Sequence, residues 1–191
     1  MRTIYLIIDS CIFGMVGDKN KADYKNRACR MFLEKLHNII ENTKHIYIVV
    51  NNAIKSDRNR HVTRYSSRWL KKIAGRRKLK VVEETNKKQI NDVIAGLQLR
   101  EKCIDAMRKD AFLICTALAC DGSIISSDDT ARNLFSCIIS EMKTIGELCW
   151  INPLIEEESP LMWIENRCKC SVDRKLKTLS TNCDEYKNNG T

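Results

Sequence analysis

Residues 109–129, KDAFLICTALACDGSIISSDD, decide how this chain folds, because they carry acids at both ends and a turn between them. Ala111, Ile114, Cys115 and Leu118 recur at helical spacing, Asp121-Gly122 is a turn signal, and Ser123 to Ser127 has the β-branched centre of a buried strand. A helix covers roughly 16 Å from Asp110 to Asp121 at about 1.5 Å per residue. A strand rising about 3.3 Å per residue covers a similar length from Gly122 to Asp128. Antiparallel packing of the two therefore predicts Asp110 beside Asp128, at the carboxyl edge of a strand, where open α/β sheets take their ligands.

The same alternation extends in both directions. TIYLIID, residues 3–9, is the continuous apolar run of a central parallel strand, and it ends on Asp9. Gly14, Gly17 and Asp18 predict a loop, and a helix follows with Phe32, Leu36 and Ile40 on its apolar face. HIYIVV, residues 45–50, reads as the second strand, closed by the capping oxygens of Asn51 and Asn52. From 53 to about 74 the spacing predicts one helix, with Val62, Tyr65, Trp69 and Ile73 buried and Asp57, Arg60 or His61, Arg64, Arg68 and Lys72 on another face.

A third strand is expected over 78–83, and a helical period leads from Ile90 towards Asp110, interrupted at Gly96. Beyond Asp129, a long amphipathic helix over 131–145, a fifth strand over 147–151 and a short helix near 161–166 complete the core. Strands alternating with helices imply an α/β fold, a mostly parallel sheet of about five strands with helices on both faces. A single domain is expected over 1–167, and the polar residues 168–191 read as a flexible tail.

Composition agrees with one domain. The 191 residues are 43% hydrophobic, and no run approaches the roughly 20 apolar residues of a membrane span. The first residues lack the cleavage chemistry of a secretory signal, which predicts a cytoplasmic protein. Most of the ten cysteines sit in apolar patterns and read as reduced thiols. Cys168, Cys170 and Cys183 lack the paired spacing of a zinc site. The net charge is +9, and residues 55–80 hold eleven Lys or Arg against the single acid Asp57. That concentration suits an anionic partner such as nucleic acid.

Asp9, Asp57, Asp110 and Asp128 are the expected acidic cluster. Carboxylates converging in one cleft raise one another's proton affinity unless a cation neutralises them, and hard oxygen donors call for Mg²⁺ or Mn²⁺. Such an ion activates water and stabilises charge on a phosphodiester. Asp129 either joins the metal shell or caps the following helix. Ser126 contacts substrate, contacts a metal-bound water, or simply ends the strand. Arg60, His61, Arg64 and Arg68 are the candidate phosphate contacts.

These residues resemble the PIN-domain nucleases. YLIIDS, KDAFLICTALACDG and SIISSDD supply acids in the order of that family, and SDRNRH and WINP are similar to segments of its prokaryotic stand-alone members, with Asp57 in place of the usual Glu. The resemblance implies a three-layer α/β/α fold and a metal-dependent ribonuclease, with Asp9, Asp110 and Asp128 as metal-binding residues. It also implies RNA as substrate and raises an antitoxin or a second copy as partner, although the chain is longer than compact PIN toxins. A degenerate PIN module that binds RNA or protein without cutting is the alternative. A different phosphotransfer enzyme is disfavoured, since no GxxxxGK[ST] loop is present.

Overall fold

β1 (Ile4–Ile8), β2 (Ile46–Val50), β3 (Leu79–Val81), β4 (Ser123–Ile125) and β5 (Trp150–Ile151) form one sheet in the order β3-β2-β1-β4-β5. All four neighbouring pairs are parallel. The structure is a computed structural model, and it describes residues 2–17, 23–61, 63–179 and 181–187, without the side chains of 57–61. Period-two alternation sends successive strand residues to opposite faces. Ile7, Val49, Ile124 and Trp150 accordingly enter one buried cluster, while Leu6, Ile8, Ile48 and Ile125 enter another. These two clusters on opposite faces make the fold a three-layer α/β/α architecture.

On the first face lie α5 (Lys87–Gly96), α6 (Glu101–Cys120) and α7 (Asp129–Ser136), which supply Ile94, Ile114 and Phe135 to the cluster. On the other lie α1 (Ser10–Met15), α2 (Tyr24–Asn42), α4 (Arg64–Gly75) and α9 (Pro160–Glu165), which supply Phe13, Leu36, Trp69 and Trp163. The turn between α6 and β4 forms as the sequence predicts. Asp121 takes the left-handed conformation, φ 52°, and the Gly122 N–H donates to the Ala117 carbonyl at 2.9 Å. A Cβ on Gly122 would lie 2.6 Å from Ile7 Cδ1 and 3.0 Å from the Tyr5 carbonyl oxygen, so the close approach to β1 requires glycine there.

Several expectations need correction. The loop expected from Gly14 is preceded by a helix, α1, because Asp9 caps Ser10–Met15; Asp18 lies outside the described residues. The single helix over 53–74 is two, α3 (Asn52–His61) and α4, since Thr63 and Ser66 form a reciprocal capping box that starts a new helix. Val62 lies outside the described residues. The long helix over 131–145 ends at Ser136, and α8 (Lys143–Gly146) follows after turns.

The third and fifth strands are shorter than expected. Cys137 is joined to Cys183 by a disulfide, so these two cysteines are not reduced thiols. Residues 168–179 and 181–187 do not hang free as a tail. Leu176 is fully buried and its N–H donates to the Leu148 carbonyl at 3.0 Å, and Leu99 forms an antiparallel bridge with Lys187. No described helix is long and apolar enough to cross a membrane.

Candidate carboxylate site at the switch point

Strand order reverses between β1 and β4, and the crevice at their carboxyl ends is the usual ligand position of such a sheet. Asp9 follows β1 and caps α1, accepting from the Cys11 N–H at 3.4 Å. Asp128 follows β4 and caps α7, its Oδ1 accepting from the Ala131 N–H at 2.9 Å. The Asp9 N–H donates to the Ile125 carbonyl at 2.9 Å, so the two strand ends are locked side by side.

Ser126 joins the two acids. It is fully buried, its hydroxyl donates to Asp9 Oδ2 at 2.6 Å, and the same oxygen accepts from the Asp128 N–H at 3.1 Å. The Cys11 thiol donates to Asp9 Oδ2 at 3.0 Å, and the Ser127 hydroxyl donates to Cys11 Sγ at 3.2 Å. Burial first, then the Asp9 charge, pushes the Cys11 thiol up to about 12. Cys11 is therefore a protonated donor that orients Asp9 rather than a nucleophile. Asp9 itself is 6% exposed, and donors on both oxygens offset the cost of burying its charge.

Asp110 lies in α6 and is also buried, at 9% exposure. Its height is set by Thr116, whose hydroxyl accepts from Asn51 Nδ2 at 2.6 Å just beyond the end of β2. Asp110 stands six residues earlier, about 9 Å farther along the axis, towards the carboxyl edge of the sheet. Asp110 thus lies towards the edge at which β1 and β4 end.

Asp129 belongs to a neighbouring network. Its Oδ2 accepts from Asn152 Nδ2 at 2.9 Å, and its Oδ1 is 4.0 Å from Arg132 Nη1. Arg132 is 6% exposed and pairs with Glu158, whose second oxygen accepts from the Asn152 N–H at 2.9 Å. Asp128 rather than Asp129 caps α7. Sequence reasoning missed Arg132, Glu158 and the role of Cys11. Only Arg132 had a local signal, its three-residue step from Asp129 on one helix face.

The side chains of Asp57, Arg60 and His61 lie outside the described residues. Arg64 and Arg68 are exposed on α4, with Lys71 and Lys72. The start of α4 is tied to the end of α1 by the Thr63 hydroxyl, which donates to the Val16 carbonyl at 2.8 Å. Phe13 packs on Trp69 at 6.0 Å between ring centroids. Since α1 is about 9 Å long, α4 starts at the end of α1 opposite the one that Asp9 caps. Trp69 is core, as expected, its indole N–H donating to the Leu33 carbonyl at 2.7 Å.

Among the described residues, no three His, Cys, Asp or Glu side chains gather as a group that could hold a metal ion. Carboxylates are the donors that a hard divalent cation takes. Asp9, Asp110 and Asp128 each carry one, and Ser126 hydrogen-bonds the Asp9 carboxylate and the Asp128 backbone N–H. No family model matches the chain, and neither a curated protein nor a solved structure does.

Proposed function

We propose that the protein is a divalent-metal-dependent ribonuclease of the PIN type, acting on RNA from the crevice between β1 and β4. The observation that carries this reading is the Ser126 bridge, which links the Asp9 carboxylate to the Asp128 backbone N–H at the switch point of the sheet. Buried Asp110 on the same edge and the exposed cations of α4 add support.

In this reading Asp9, Asp110 and Asp128 hold Mg²⁺ or Mn²⁺, and Asp57 is a further candidate ligand. Once bound, the ion supplies a water nucleophile at neutral pH and neutralises charge developing on the phosphodiester. Ser126 and Cys11 fix the orientation of Asp9 through the hydrogen bonds they donate. Arg64 and Arg68 draw the phosphate backbone towards the crevice, as unspecific cationic contacts do. Asp129 has a positioning role, through Asn152, at the start of α7. A cytoplasmic setting and an RNA substrate belong to this proposal, as does an antitoxin or a second copy as protein partner.

A specific observation favours the second reading, a PIN module that binds RNA without cutting it. No three described acids gather at ligating positions, and both Asp9 oxygens already accept hydrogen bonds. Cleavage of labelled RNA with Mn²⁺ or Mg²⁺, comparing the unmodified protein with Asp9→Asn and Asp110→Asn, separates the two. Metal-dependent cleavage abolished by both substitutions is the expected result. RNA binding without cleavage supports the second reading, and cleavage that survives both substitutions removes the site from the chemistry.

A further inference from the structure

At the amino ends of the strands, one face of the sheet ends on aromatic rings and cations. Tyr5 and Tyr47 are register partners on β1 and β2, with ring centroids 6.2 Å apart. Lys78 and Lys80 follow beside them at the start of β3, where the Lys78 carbonyl accepts from the Ile48 N–H at 2.9 Å. Both ammonium groups lie over the Tyr47 ring, each 4.9 Å from its centroid. Asp9 stands at the other end of β1.

Core packing does not account for this ring. A strand between two parallel neighbours is ordinarily apolar on both faces, and Ile48, Val49 and Val50 of β2 are buried accordingly. Tyr47 is half-buried, and among the described residues it packs into neither apolar cluster. It meets the Tyr5 ring and the two ammonium groups instead. Among the described residues no carboxylate pairs with either lysine. More cations lead to the same place. Arg64, Arg68 and Lys72 step by fours along the exposed face of α4, which runs from the end of α1 to the turn before β3. Exposed Arg76 and Arg77 fill that turn, Arg76 paired with Glu41 at 3.0 Å.

We propose that Tyr47, flanked by Tyr5, Lys78 and Lys80, is a stacking site for an unpaired base of single-stranded RNA. With RNA as the substrate, as proposed above, this site adds a contact remote from the acids. Every base has a π-face, so stacking on a tyrosine tolerates any sequence, and lysines beside the ring supply the charge that a phosphate backbone requires. The lysine stems are flexible, so each ammonium group leaves the ring for a phosphate as a base takes its place. Duplex RNA keeps its bases stacked within the helix and offers the cations only phosphates and sugar hydroxyls. The site therefore selects unpaired strands.

The test is binding of a fluorescein-labelled single-stranded RNA by the full chain in EDTA, which withholds metal and keeps cleavage out of the measurement. Tyr47→Leu preserves apolar bulk without a π-face and should weaken binding about tenfold, whereas Tyr47→Phe should bind as the unmodified protein does. Lys80→Gln should reduce the slope of log K against log salt by about 0.7, the value of one single-strand phosphate contact. Ultraviolet crosslinking should place an RNA adduct in the tryptic peptide 45–55, whose one tyrosine is Tyr47. Equal affinities for the unmodified protein and Tyr47→Leu, or no binding by either, overturn the site and leave the metal-dependent cleavage assay to decide the carboxylate cluster. Binding that depends on Tyr47 in a protein that cuts no RNA supports the site and removes the nuclease. If Tyr47→Leu fails to fold, the unmodified protein decides alone, since a crosslink confined to other peptides overturns the site.

Discussion

The Ser126 hydroxyl stands 2.6 Å from Asp9 Oδ2, although the two residues are 117 positions apart in the chain. The same oxygen accepts from the Asp128 N–H at 3.1 Å, so one buried atom bonds the carboxylate of one strand-end acid and the backbone of the other.

Ser126→Ala should therefore act on both stability and activity. It leaves a buried carboxylate oxygen and a backbone N–H without the partner they share, a loss of about 1–3 kcal/mol. Urea unfolding measures that loss, and RNA cleavage should fall more than the fraction of folded protein does. A variant as stable and as active as the unmodified protein would show that the bridge is dispensable.

Asp128 has two separable roles. Asp128→Ala removes the cap of α7 and should cost about 1 kcal/mol, whereas Asp128→Asn keeps a capping oxygen and should cost far less. Both should abolish stabilisation by Mn²⁺, read as the rise in melting temperature on adding the ion. Persistence of that rise in Asp128→Asn would take Asp128 out of the metal site.

Arg132 and Glu158 form an ion pair whose side chains are only 8% and 16% exposed. Removing one partner strands a buried charge, so Arg132→Ala should cost about 3–5 kcal/mol. The double variant with Glu158→Ala should cost clearly less than the two single losses added together. Denaturant titration of the four proteins gives the coupling directly, and additive losses would mean that the pair contributes little.

The Cys137–Cys183 disulfide closes a loop with a sequence separation of 46. Constraint of the unfolded chain by such a loop amounts to about 4 kcal/mol, and measured values usually reach about 2–4. Cys183→Ser should lower stability by that amount and raise protease cleavage in residues 181–187. Equal unfolding midpoints with and without reductant would contradict this.

Alkaline pH should destabilise the fold. Burial holds Cys11, Cys29 and Cys168 up to about 12, against an ordinary value of 9.0. Between those values the unfolded chain binds fewer protons than the folded one, so stability is fully present below pH 9 and declines as pH rises towards 12. Unfolding midpoints for the unmodified protein and Cys29→Ala should converge across that interval. A constant difference would exclude the Cys29 thiol as a contributor.

Local pattern carried most of the architecture. The apolar run before Asp9, the turn at Asp121-Gly122 and the helical steps of 111–118 are each set by neighbours in sequence, and each appears in the structure. The errors fell where a short-range device competes with periodicity. The capping pair of Thr63 and Ser66 splits a helix that the apolar stripe runs straight through, and the pattern of 131–145 continues past the end of α7 at Ser136.

What the sequence alone determined is the alternation of strand and helix, and with it the acids that end two strands, because period and turn chemistry are local properties. Tertiary structure decided which atoms meet: Ser126 with Asp9, Arg132 with Glu158 and Cys137 with Cys183. Each of these pairs is brought together by sheet order and by the return of the C-terminal segment across it. Residues separated by tens of positions leave no mark of their contact in a single sequence.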